Sequence, residues 1–178
     1  HYYLKQPVSG EIRLAFYTEK GDSIIAFSNI NSPSGKPFVK EEEQKLHPSL
    51  KPKKHQLNTR AGMHQFVWDM RYLEAKQIED DYWAPSQLRG PLALPGNYIV
   101  KLWLNGKQIQ SQTFAIKLDP GVKSSTSDLK AQFDLAMKVN RKQDEIVKKI
   151  LQIRGVKKQV NDFMGSFSDT TDIKSLKK

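Results

Sequence analysis

The chain has 178 residues, 38% of them hydrophobic, and its 29 Lys and Arg against 19 Asp and Glu give a net charge of +10. That length suits one domain plus an appendage, or two small domains. The absence of cysteine rules out disulfide frameworks, thiolate nucleophiles and cysteine-ligated metals, and no run approaches the roughly 18 apolar residues of a membrane-spanning helix.

A strongly basic chain raises nucleic acid as a partner, and the distribution of charge argues against it. Residues 1–121 carry 16 basic against 12 acidic side chains, and residues 122–178 carry 13 against 7. Of the basic residues 23 are Lys and six are Arg. Base edges and phosphates are read bidentately by the planar guanidinium, whereas scattered lysines mainly solubilise a surface. The densest basic cluster, Lys51-Pro52-Lys53-Lys54-His55, follows Glu41-Glu42-Glu43 closely. The histidines His1, His47, His55 and His64 form no metal-binding spacing, so no metal and no cofactor is expected. The chain opens His1-Tyr2-Tyr3 without a basic-then-apolar leader and is expected to be a piece of a longer polypeptide.

Two regimes of periodicity meet near Asp119-Pro120-Gly121. Before that point apolar residues alternate with period two; after it they recur at helical spacing. The division predicts an antiparallel sandwich over residues 1–121 and a helical extension or helical hairpin over 122–178. Ile12, Leu14 and Phe16 alternate with Arg13, Ala15 and Tyr17, then Glu19–Asp22 turns the chain into a second strand over Ser23–Ser28. Residues 30–60, with Pro33, Pro37, Pro48 and Pro52, predict a long connection without a strand, read as a surface insertion or a partner-binding arm. A third strand is predicted from Gly62, with His64, Phe66, Trp68 and Met70 on one face and Gln65, Val67, Asp69 and Arg71 on the other. Asp69 and Arg71 are expected to pair. Residues 72–96 read as a second loop-rich stretch.

The clearest signal follows. Pro95-Gly96 precedes the alternating run Asn97–Leu104, and Asn105-Gly106 favours positive φ, hence a type I′ hairpin turn. The return strand is expected to run from Lys107 to Leu118, with Phe114, Ile116 and Leu118 on one face. Trp68 is expected to fill the core with its indole N–H bonded to an acceptor. Tyr98 is placed like a tyrosine corner, its hydroxyl tying a loop to the strand start. Ser125 with Asp128 reads as a capping box. From there Leu129, Phe133, Ala136 and Met137, then Ile146, Ile150 and Ile153, continue at helical spacing; Gly155 either breaks the helix or is tolerated inside one long helix, and a second stripe of Val156, Val160, Phe163, Met164 and Phe167 follows.

The motifs of this sequence resemble one family. Gly62-Met63-His64-Gln65-Phe66-Val67-Trp68-Asp69-Met70-Arg71-Tyr72 resembles the G-x-N-R-F-x-W-D-L-R-Y strand of the bacterial Ig-like domain that closes secreted Asp-box, sortilin-type β-propeller proteins, often labelled glycosyl hydrolase-like. Gly90-Pro91-Leu92-Ala93-Leu94-Pro95-Gly96-Asn97-Tyr98-Ile99-Val100 is similar to its G-P-x-A-x-P-G-x-Y-x-V segment. Asp119-Pro120 and the run Ser127–Ala136 resemble its passage into a helical tail, and Tyr2-Tyr3-Leu4 with Gly10–Ser28 resembles its opening strands, which are also similar to the Ig-like domain of flagellar hook-capping proteins. The resemblance covers roughly residues 1–155. His64-Gln65 stands where the family has Asn-Arg, and the 30–60 insertion is long. The resemblance implies an immunoglobulin- or fibronectin-III-like sandwich, an extracellular or periplasmic location, and a β-propeller as intramolecular partner. It implies no catalytic residue; Trp68, Asp69, Arg71, Pro95, Gly96 and Tyr98 then specify the fold.

Three functions compete on these residues. Catalysis would need a constellation: Glu79-Asp80-Asp81 supplies neighbouring carboxylates on a loop, without a framework that sets their separation, and Ser86, Ser111 and Ser124 have no nucleophile-elbow context. A carbohydrate site is the more specific reading. Tyr72, Tyr82 and Trp83 on the 72–90 loop could stack on sugar rings, with Arg89, Glu79 and Asp81 hydrogen-bonding hydroxyls. The reading that absorbs the most residues is a non-catalytic accessory module whose amphipathic tail covers a neighbouring surface.

Overall fold

The hairpins follow from local chemistry. In the computed structural model, which describes residues 1–31, 33, 56–76, 78 and 89–165, strand β2 (Ile12–Thr18) turns into β3 (Ser23–Ser28). That turn is held by Thr18 N–H to Asp22 O at 2.9 Å and Gly21 N–H to Thr18 O at 2.9 Å. Strands β5 (Gly96–Leu104) and β6 (Lys107–Ile116) meet at Asn105 (φ 48°) and Gly106 (φ 78°), both left-handed as a type I′ turn requires. Two short strands, β1 (Tyr2–Leu4) and β4 (Gly62–His64), complete the set.

These six strands form two antiparallel sheets, one ordered β3-β2-β5-β6 and one made of β1 and β4. The register of β2 against β5 pairs Ile12 with Leu104, Leu14 with Leu102, Phe16 with Val100 and Thr18 with Tyr98. Side chains alternate across a strand, so this register puts one set of apolar residues on one face of the large sheet. The segment that follows β4 lies over that face. Phe66 and Trp68 pack there with Phe16, Ile24, Phe27, Ala93 and Tyr98, while Leu4, Ile12 and Leu57 form an adjoining cluster. Phe16 sits at the centre, stacked on Trp68 at 4.4 Å and 23°, with Phe27 and Phe114 each edge-on at 6.1 Å.

Polar side chains close the ends. Asn29 accepts Ile12 N–H at 2.8 Å and donates to Gly10 O at 2.9 Å, so one amide fixes the start of β2 twice. The Trp68 indole N–H donates to Arg71 O at 3.0 Å, and the Tyr98 hydroxyl donates to Leu94 O at 2.6 Å. Burial holds the Tyr98, Tyr2 and Tyr72 phenols above their ordinary value of 10.0. Each therefore favours the folded state fully below about pH 10 and loses that contribution as pH rises through the raised folded value. Thermal stability should accordingly fall above about pH 10, in step with tyrosinate absorbance. Tyr98→Phe should cost about 1 kcal/mol at neutral pH by removing the bond to Leu94 and should flatten part of the alkaline decline.

The helix begins where expected. Ser125 Oγ accepts Asp128 N–H at 3.1 Å and donates to Asp128 Oδ2 at 2.6 Å, and α1 runs without interruption over Thr126–Gly165. Gly155 does not break it. A single exposed glycine costs a helix about 1 kcal/mol, too little to stop one of this length. The contacts described between α1 and the sheets and loops fall on residues 133–147. Phe133 meets the Tyr72 ring at 5.1 Å, Asn140 Nδ2 donates to Leu73 O at 3.3 Å, and Asp144 Oδ1 accepts Lys76 N–H at 2.7 Å. Val147 is the buried residue of the helix.

Three expectations about strand ends require correction. Strand β4 stops at His64 rather than continuing to Arg71. Burial still alternates through Trp68, but Met70 takes φ 59° and turns outward, breaking the face it was expected to share. Strand β6 ends at Ile116, leaving Leu118 exposed beyond it. The 72–96 stretch is partly ordered by pairing: Tyr72 N–H bonds Pro91 O at 2.9 Å, Ala93 N–H bonds Met70 O at 2.7 Å, and Arg71 forms a bridge with Leu92. Most of the 30–60 insertion lies outside the described residues. Within it Leu57 is buried, and Thr59 O accepts Val8 N–H at 2.8 Å.

Candidate functional site

The aromatic loop divides. Tyr82 and Trp83, with Glu79 and Asp81, lie outside the described residues. Tyr72 and Arg89 are described, and the structure does not give them a common role. The Tyr72 ring rests between the core cluster and Phe133 of α1, and burial is the first cause of its raised pKa. Its face is therefore used to join the helix to the sheets. Arg89 is exposed.

Of the residues expected to specify the fold, Trp68, Asp69, Arg71 and Tyr98 are engaged in packing or hydrogen bonds. Trp68 and Tyr98 make the contacts described above and meet each other edge-on at 6.3 Å. The expected Asp69–Arg71 ion pair does not form. Asp69 Oδ1 instead accepts the backbone N–H of Arg71 at 3.3 Å, and the Arg71 guanidinium donates to Gly90 O at 2.9 Å. The outward turn at Met70 removes the two-residue strand spacing on which the pair depended. Pro95 is exposed and Gly96 opens β5, immediately ahead of Tyr98.

Sequence reasoning did not single out the other face of the large sheet. Arg13 pairs there with Trp103, Ala15 with Lys101 and Tyr17 with Ile99. Lys101 Nζ lies 4.8 Å over the Tyr17 ring, and Ala15 is fully buried beneath these larger neighbours. The Trp103 indole N–H is shielded and has no hydrogen-bond acceptor. The signal was present in the odd-numbered residues of the two strands, which carry both cations, Arg13 and Lys101, beside Tyr17 and Trp103. Of its two cations, Lys101 is already seated on an aromatic ring.

Among the described residues no cluster of three or more His, Asp or Glu could hold a metal ion. His64 Nε2 lies 2.7 Å from Arg60 O, and its ring lies against Tyr2 at 5.2 Å. A depression of about 430 Å³ is lined by Gln56, Leu57, Asn58, Thr59 and Arg60, a set with no carboxylate. The lowered pKa of Glu145 comes first from its hydrogen bond with Lys142 on the exposed helix surface. No helix among the described residues is long and apolar enough to cross a membrane. Comparison with protein-family models, with curated proteins and with solved structures finds no match.

Proposed function

We propose that this chain is an immunoglobulin-like, non-catalytic accessory domain of a larger secreted bacterial protein, packed against or supporting an Asp-box, sortilin-type β-propeller. One observation carries the docking part of this reading: the small sheet turns large apolar side chains outward. Tyr3 and Met63 are register partners, and Val67 follows on the same alternation; all three are mostly exposed. Large apolar side chains turned outward on a short sheet mark an interaction face. The immunoglobulin-like part draws support from the two antiparallel sheets and from the Tyr98 hydroxyl on Leu94 O, the geometry of a tyrosine corner.

The test is amide hydrogen exchange of residues 2–4 and 62–67 in the isolated domain and in the longer polypeptide that carries it. Slower exchange of these segments in the longer polypeptide is the expected result. Equal exchange overturns the docking. The competing function, a carbohydrate-binding module built on the 72–90 loop with Tyr82, Trp83 and Arg89, predicts a saturable tryptophan-fluorescence change with one polysaccharide of a panel, lost in Trp83→Ala. A flat response across the panel is expected here, because Tyr72 is already committed to Phe133.

A further inference from the structure

The helix carries a second apolar stripe that the sheets do not use. Phe133, Asn140, Asp144 and Val147 mark the face turned toward the body of the protein. At about 100° per residue, roughly 150° around the helix axis from that face, lie Leu135, Val139, Ile146, Ile153, Val156 and Val160, each at least half exposed. Val139, Ile146, Ile153 and Val160 recur every seventh residue, and all are β-branched. A straight helix drifts off such a repeat, whereas a supercoiled pair keeps it in one seam. The seam runs past Gly155, through the half of α1 in which residues 151–163 are all exposed.

We infer that this stripe is an antiparallel two-helix seam between two copies of the chain. The inference goes beyond the accessory-domain reading and uses a different surface. Area is the first argument. Six such side chains, at roughly 100 Å² of exposed surface each, offer about 600 Å² per copy. The stems of the seam lysines bring this close to the roughly 800 Å² per partner of a stable interface.

Charge sets the direction. Residues 126–145 carry four acidic and four basic side chains, whereas 146–165 carry five basic and one acidic. A parallel pair would lay the two basic halves together; an antiparallel pair lays each beside the half that holds four carboxylates. The remaining seam positions, Lys142 and Lys149, decide the same way. In a parallel pair each would face its own copy, while the antiparallel register sets Lys142 against Val160 of the second copy, Lys149 against Ile153 and Ile146 against Val156. Lys142 is already bridged by Glu145 at 2.7 Å, so its head can stay at the rim while its stem covers the seam.

The experiment is light scattering after size exclusion, on the whole chain at micromolar concentrations, with Ile146→Glu/Ile153→Glu alongside. The chain should run at twice its 20.4 kDa mass, and the double variant should run as a monomer with unchanged near-ultraviolet dichroism. A monomeric parent chain, or a dimer that survives in the variant, overturns the inference. Direction is read by disulfide trapping, which the cysteine-free chain permits without background. A mixture of Ile146→Cys and Val156→Cys chains should form the mixed disulfide under mild oxidation. Cross-linking of Ile146→Cys with itself in preference overturns the antiparallel seam.

Discussion

Replacing Phe16 with alanine is expected to lower the unfolding free energy by about 4 kcal/mol, the largest loss of any single truncation in this fold. The ring is almost wholly buried and meets four aromatic neighbours: Trp68 stacked at 4.4 Å, Phe27 and Phe114 edge-on at 6.1 Å, and Phe66 at 6.4 Å. Those neighbours come from β3, β6 and the segment after β4, so no local rearrangement can refill the space. The loss therefore combines hydrophobic transfer with an unrelaxed cavity. Thermal denaturation should shift down by about 8–16 °C at the usual 2–4 °C per kcal/mol for a chain of this size. Phe16→Leu should recover more than half of that shift, because it restores most of the volume. A fall of less than about 1 kcal/mol in the alanine variant would show that the layers are not held through this residue.

A single methyl group at position 90 should be nearly as damaging. A Cβ built on Gly90 would fall 1.8 Å from the carbonyl oxygen of Tyr72 and 2.6 Å from its carbon. Both are backbone atoms, so no side chain can swing aside. The segments 70–72 and 91–93 would have to separate, and with them the bonds from Tyr72 N–H to Pro91 O, from Ala93 N–H to Met70 O and from Arg71 to Gly90 O. Overpacking costs about 1–3 kcal/mol, and the weakening of these bonds puts Gly90→Ala at the upper end of that range, an expected loss of about 3 kcal/mol. Because Tyr72 also carries Phe133, the first half of α1 should lose protection in amide exchange in the same variant. Normal protection at residues 129–147 would uncouple the helix from this loop.

The two variants also mark the line between local and tertiary information. Phe16 was legible as a core residue because strict alternation with Arg13, Ala15 and Tyr17 leaves a strand one apolar face. The Asn105-Gly106 turn was legible because positive φ at consecutive residues restricts the choice of side chain. Ser125 was legible as a helix cap because orphan N–H groups need a nearby oxygen. Each is a constraint among residues a few positions apart. Gly90 was legible only through a resemblance, since the atom that requires it belongs to Tyr72, eighteen positions earlier in the chain.

The same distinction separates the candidate sites. Tyr72 reads in sequence as an aromatic on a loop, open to a ligand; the fold spends its ring on Phe133. Arg71 reads as a partner for Asp69; the left-handed turn at Met70 sends it to Gly90 instead. The sequence by itself determined the two periodicities, the hairpin turn, the helix start, and the roles of Trp68 and Tyr98, because alternation, φ preference and capping act within a few residues. Only the tertiary structure decided the unbroken course of α1 through Gly155, which side of it meets the sheets, and which apolar stripe is left outward. Those outcomes depend on pairs such as Phe133 with Tyr72 and Asp144 with Lys76, whose partners lie some sixty residues apart in the chain and meet only after the sheets have formed.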